Sequence, residues 1–134
     1  MQALPYEHAI QSIMQRDPRF HPAAYLFLKE ALDHTLKKVM DANSGMSRHV
    51  SGAELLEGFR DLALELFGPM ASTLLKEWNI HRCSDVGDMV FLLIEEQVFG
   101  KQDSDTKEDF ADVYQFSDAF EAPFLPKSLT ARAS

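Results

Sequence analysis

The stretch Ser84–Phe99 (SDVGDMVFLLIEEQVF) constrains the fold more than any other part of the chain. Met89, Val90, Phe91, Leu92, Leu93 and Ile94 are consecutive apolar residues. On a helix six consecutive positions point in every direction, so none of its sides is suited to water. Such a helix must be covered by others. A short apolar run also fits a buried strand, because the run alone does not set the period. Its flanks decide for helix: Ser84 and Asp85 suit an N-terminus, Glu95–Glu96–Gln97 are helix formers, and Gly100 suits a stop. The expectation is a central helix over Asp85–Phe99.

The rest of the chain supplies helices to cover it. Pro5 opens the first, with Tyr6, Ile10, Ile13 and Met14 on one face, and Asp17–Pro18 ends it. The second starts at Pro22 and carries the stripe Ala24, Phe27, Leu28, Ala31, Leu32, Thr35 and Val39 up to the loop Asn43–Ser44–Gly45. Ser51 and Glu54 match the S-x-x-E capping box of a third helix. Its stripe is Leu55, Leu56, Phe59, Leu62, Ala63, Leu66 and Phe67. Gly68–Pro69 separates it from a short fourth helix ending at Trp78, where Asn79 suits a left-handed C′ position. Thr106–Phe116 reads as a last short helix with Phe110, Val113 and Tyr114 inward, and Phe120 and Phe124 are expected to pack as the chain leaves. With no sustained period-2 pattern, the chain is predicted to be all-α: a compact bundle of about five or six helices around the central one. Residues 1–121 form a single helical domain in this reading and 122–134 a loose C-terminal tail.

Charge is unevenly placed. Nine acids between Glu95 and Glu121 face only Lys101 and Lys107, a net of −7 out of the chain's −8. Lys37–Lys38 is the lone basic pair, so nucleic acid is not an expected partner. No run approaches the ~20 apolar residues of a bilayer-spanning helix. The start MQALPYEHAI lacks a signal peptide's basic and apolar regions. With a single cysteine, Cys83, these features point to a cytoplasmic protein.

Three phrases, RDPRFHPAAYLFLKEAL (Arg16–Leu32), RHVSGAELLEGFRDLALELFGPMASTLLKEWNI (Arg48–Ile80) and DVGDMVFLLIEE with DFADVYQFSDAF beyond it, resemble a family of small proteins found mainly in planctomycetes and verrucomicrobia. The resemblance covers nearly everything before the tail. It implies an autonomous bacterial domain and carries over no catalytic residue, since the family has no established activity. Where its pattern has Trp-Gly-Ile, this chain has Trp78–Asn79–Ile80.

Few residues carry chemistry. The five histidines include no H-E-x-x-H pair, and His81–Arg82–Cys83 offers two ligands without a second pair. Asp103-Ser-Asp105-Thr-Lys107-Glu108 starts like a calcium loop but has Glu108 at the turn glycine and Tyr114 at the bidentate position; Ser104 or Thr106 reads better as a helix cap. No metal or cofactor is expected. Arg48 and His49 precede a capped helix, whose free N–H groups favour an anion, which makes them a candidate site for a small anionic ligand or substrate. The preferred reading is a non-catalytic protein-interaction module. Asp105, Glu108, Asp109 and Asp112 would steer a basic protein partner, with Tyr114 and the neighbouring Phe99, Phe110, Phe116, Phe120 and Phe124 as anchors.

Overall fold

The computed structural model describes residues 4–46, 48–100 and 105–125. Helices α1 (Leu4–Arg16), α2 (Pro22–Ala42), α3 (Gly52–Phe67), α4 (Ala71–Glu77), α5 (Cys83–Glu95) and the five-residue α6 (Phe116–Phe120) follow in order. Single 3₁₀ turns lie at Gly68–Met70, Lys107–Phe110 and Ala122–Phe124, and the described residues contain no strand. The protein is an all-α bundle. No described helix is long and apolar enough to cross a membrane.

Local chemistry sets the helix ends. His21 caps α2, its Nδ1 accepting from the Ala23 N–H at 3.0 Å, and Pro22 takes the first turn, where its missing N–H costs nothing. The α3 box forms in full: Ser51 Oγ accepts from the Glu54 N–H (3.2 Å) and Glu54 Oε1 from the Ser51 N–H (3.0 Å). Asn79 is left-handed (φ +68°) as its sequence position implies, and the Ile80 N–H closes on the Leu75 carbonyl at 2.9 Å.

The central helix is shorter and begins earlier than its flanks suggest. It starts at Cys83, and Asp85 lies within the first turn, accepting from the His81 N–H at 2.8 Å. It stops at Glu95, well before Gly100, because Gln97 adopts the left-handed conformation (φ +64°). The Gln97 and Val98 N–H groups then satisfy the Ile94 and Leu93 carbonyls. That turn brings Phe99 back onto Tyr6, with ring centroids 6.2 Å apart. A helix continued to Phe99 would carry that ring away.

Burial is less even than the apolar run implies. Met89, Val90 and Leu93 are buried, as are Leu55, Leu56, Phe59 and Leu62 of α3. Ile94 is only half-buried, and Leu66, expected in the α3 stripe, is 52% exposed. Phe67 turns inward instead and joins Phe27 and Trp78 in an aromatic cluster with centroids 5.3–6.0 Å apart. Helices α2 and α3 pack closely at Gly58, where an added Cβ would lie 1.8 Å from Thr35 Oγ1.

The last predicted helix, Thr106–Phe116, does not form. The chain makes the 3₁₀ turn Lys107–Phe110, runs irregularly through Asp112 (φ +49°), and only then enters α6. Between its two anchors, Phe110 packed beside Gly52 and Gly87 and the Tyr114 hydroxyl on the Leu56 carbonyl, the backbone turns left-handed at Asp112, which a continuous helix does not allow. Phe120 is buried as expected, whereas Phe124 is exposed. Ala122–Phe124 belongs to a described 3₁₀ turn, and the tail beyond 125, like the Asp103–Ser104 loop, lies outside the described residues.

The chain's three tyrosines are tied into this core. The Tyr6 hydroxyl donates to the Tyr25 carbonyl, and the Tyr114 hydroxyl to the Leu56 carbonyl at 2.8 Å. Burial pushes the Tyr25 phenol up to about 12 and raises Tyr6 and Tyr114 as well. A folded pKa raised above the unfolded value of about 10 contributes stability that is present below pH ~10 and lost as pH rises through the folded value. Tyrosinate absorbance is therefore expected to appear in step with loss of helical circular dichroism in an alkaline titration; ionisation of a tyrosine in the folded protein near pH 10 would contradict this packing. Leu93→Ala, at a fully buried position, is expected to lower stability by about 2–5 kcal/mol in urea unfolding.

Candidate functional site

The loop entering α3 and the turn 105–110 meet over the N-terminal end of α3. Arg48 does not stand free. Its guanidinium forms two parallel hydrogen bonds to the Glu54 carboxylate, at 2.9 and 2.6 Å. Glu54 thus serves the capping box and Arg48 together, and Arg48 first, then the Ser51 N–H, hold its carboxyl down to about 2. His49 lies beside Asp105, with Nε2 2.7 Å from Oδ2. The structure therefore brings together two residues from opposite ends of the sequence reading, one assigned to a ligand loop and one to an acidic face.

Beneath this pair lies a cavity of about 190 Å³ between α2, α3 and α5. Its walls include Leu36 of α2, Leu55 of α3, Val90 and Ile94 of α5, and Phe99 and Phe110. These are plain core positions in a stripe reading, and nothing in the sequence marks them as a cavity lining.

Phe110 is the keystone of the wall. It is 4% exposed, and its ring meets Phe91 edge-on at 6.3 Å. Its seat exists because two glycines leave room. A Cβ on Gly87 would come within 2.6 Å of the Phe110 Cβ, and one on Gly52 within 3.0 Å of the ring. An isolated glycine inside a helical pattern was the available sequence signal for such a close approach. On either side of Phe110 the turn carries the acids. Asp109 accepts from the Thr106 N–H at 3.0 Å, while Glu108, Asp112 and Asp118 are exposed and ion-pair with no described residue. Of the aromatics proposed as anchors, Phe110 and Phe120 are buried and Phe99, Tyr114 and Phe116 are half-buried. Tyr114 also packs 5.9 Å from Phe116 and 6.1 Å from Phe120, so these rings close the core.

Cys83 is the first residue of α5 and is buried, its Sγ donating to the Tyr114 carbonyl at 3.2 Å. Burial pushes the thiol up, the opposite of what a nucleophilic thiolate needs. Trp78 and Tyr25 are buried core residues. Among the described residues no three His, Cys, Asp or Glu side chains are grouped to hold a metal ion. No family model, curated protein or solved structure matches the chain.

The Ser51–Glu54–Arg48 cluster yields a pH-dependent test. A carboxylate pKa depressed in the folded state contributes stability above the unfolded value of about 4.3, lost as pH falls toward the folded value. Ser51→Ala is expected to lower stability by ~1 kcal/mol at pH 7. Arg48→Ala is expected to flatten the decline of stability between about pH 5 and 2. Parallel acid-unfolding profiles for wild type and Arg48→Ala would show that the pair contributes nothing in solution.

Proposed function

We propose that this protein is a non-catalytic helical interaction module that docks a basic protein partner on its acidic C-terminal face. The observation that carries the reading is the way the acids are mounted. Phe110 is locked in its glycine-lined seat and Tyr114 is bonded to α3, so the backbone between them is fixed to the core. Asp112 projects from that fixed backbone into water, Glu108 and Asp109 stand exposed on the turn that ends at Phe110, and Asp118 follows on α6. Acids presented on a fixed frame lose little freedom when a Lys- or Arg-rich segment engages them. Their field steers the encounter and sets specificity more than affinity.

Because the neighbouring rings belong to the core, the partner reads charge first. Phe124 and Leu125, both exposed, are the large apolar residues left beside the acids on the described segment. The absence of catalysis in this reading rests on the side chains that chemistry would need: Arg48 and His49 already face carboxylates, and the Cys83 thiol is held protonated. An anionic ligand at the α3 loop would have to displace Glu54 or Asp105. The reading takes the chain as a cytoplasmic member of the planctomycete and verrucomicrobial family, on the strength of its composition and of the three phrases that resemble that family.

The test is a pull-down from native cytoplasm at low and moderate salt. Wild type is compared with a variant carrying Glu108→Gln, Asp112→Asn and Asp118→Asn, which leaves the His49 and Thr106 contacts in place. A partner lost both on adding salt and in the folded variant is the expected outcome. A partner that both proteins hold equally would remove the acidic face from consideration.

A further inference from the structure

We propose that the cavity between α2, α3 and α5 is a binding site for a small uncharged amphiphile, with a body the size of one ring and a single hydrogen-bond donor directed at the His49–Asp105 pair. The inference is independent of the docking face, since it rests on the cavity and not on the exposed acids.

Size and lining set the body of the ligand. Well-packed interiors contain few voids larger than a water molecule. An apolar cavity of about 150 Å³ lined by Leu, Ile and Phe stays dry and accepts benzene. The space here is about 190 Å³ and opens to solvent on one side, and its deeper walls are of the same chemistry, with Leu36, Leu55, Val90 and Ile94 as branched aliphatics and Phe99 and Phe110 as rings. The walls named come from α2, α3 and α5, from Phe99 on the turn that follows α5 and from Phe110 in its glycine seat.

Charge sets the polar end. His49 and Asp105 both line the cavity, 2.7 Å apart, with side chains 30% and 18% exposed. A carboxylate there accepts a hydroxyl or N–H donor and repels a ligand carboxylate. The guanidinium of the neighbouring Arg48 is spent on Glu54, and the Ser51 N–H at the start of α3 is taken by the same carboxylate. Among the described residues the wall thus offers an acceptor to a donor-bearing ligand and no unpaired cation to an anion.

The experiment is a two-dimensional amide NMR titration of the full chain at neutral pH with phenol, benzene and benzoate as probes. Phenol is expected to give saturable shifts clustered on His49, Leu55, Val90 and Ile94. It should bind about tenfold more tightly than benzene, the worth of one hydrogen bond to a charged acceptor, and benzoate should not saturate. Ile94→Phe, which fills the cavity, should abolish the phenol shifts while the spectrum stays folded. If that variant unfolds, Leu36→Phe fills the same space from α2 and carries the same expectation. Asp105→Asn should erase the preference for phenol over benzene. Failure of phenol to produce saturable shifts, shifts centred elsewhere, shifts that survive cavity filling, or benzoate binding as tightly as phenol would each overturn the proposal.

Discussion

The covering of α5 is the constraint on which the remaining structure depends. Its central residues Met89, Val90 and Leu93 are buried, and Phe91, Leu92 and Ile94 are half-buried around them. A helix with apolar side chains on every side has no solvated face to trade, so α1, α3 and the turn 107–110 are all drawn against it. The turn does this with one side chain. Phe110 occupies the space that Gly87 and Gly52 leave open, and the acidic segment is fastened to the core as a consequence. Covering is incomplete beside Val90 and Ile94, and that is where the cavity lies.

Ion pairs then fasten the loops around this helix. Arg16 reaches Glu95 and Glu96 at the C-terminal end of α5, while Arg19 reaches Asp85 and Asp88 near its start. Exposed pairs of this kind contribute about 0–1 kcal/mol each, so they orient elements more than they stabilise them. The Asp85 pair differs because its carboxylate is 7% exposed and also accepts from the His81 N–H. A buried carboxylate needs such partners, and removing Arg19 would leave it uncompensated. Several of the basic residues placed on the core are thereby committed internally, and Glu108, Asp112 and Asp118 are left facing solvent.

The two binding readings draw on different parts of this arrangement. The docking face uses charge held on a fixed backbone and is sensitive to salt. The cavity uses apolar walls with one acceptor and is insensitive to it. They share Phe110, whose ring forms part of the cavity wall and whose backbone carries the acids, so an occupant of one is adjacent to the other.

The sequence by itself determined the elements governed by local physics. The α3 capping box, the left-handed Asn79, the Pro22 start of α2 and, Leu66 apart, the apolar stripe of α3 depend on residues within a few turns of each other, and each forms as read. The path of the chain beyond α5 was decided by the tertiary structure. The helix ends at the left-handed Gln97, which returns Phe99 to Tyr6, and the segment after Thr106 leaves its helical pattern through the left-handed Asp112, between Phe110 seated at Gly52 and Gly87 and Tyr114 bonded to Leu56. The candidate site was legible only in pieces. Arg48, His49 and Asp105 were recognisable as polar residues in suggestive places, but the pairing of Arg48 with Glu54 and of His49 with Asp105 fixes what they can bind. The second pair joins residues far apart in the chain, as do the cavity walls. Periodicity reports which side of a helix is apolar; only the packing of several such sides decides whether they meet or leave a space.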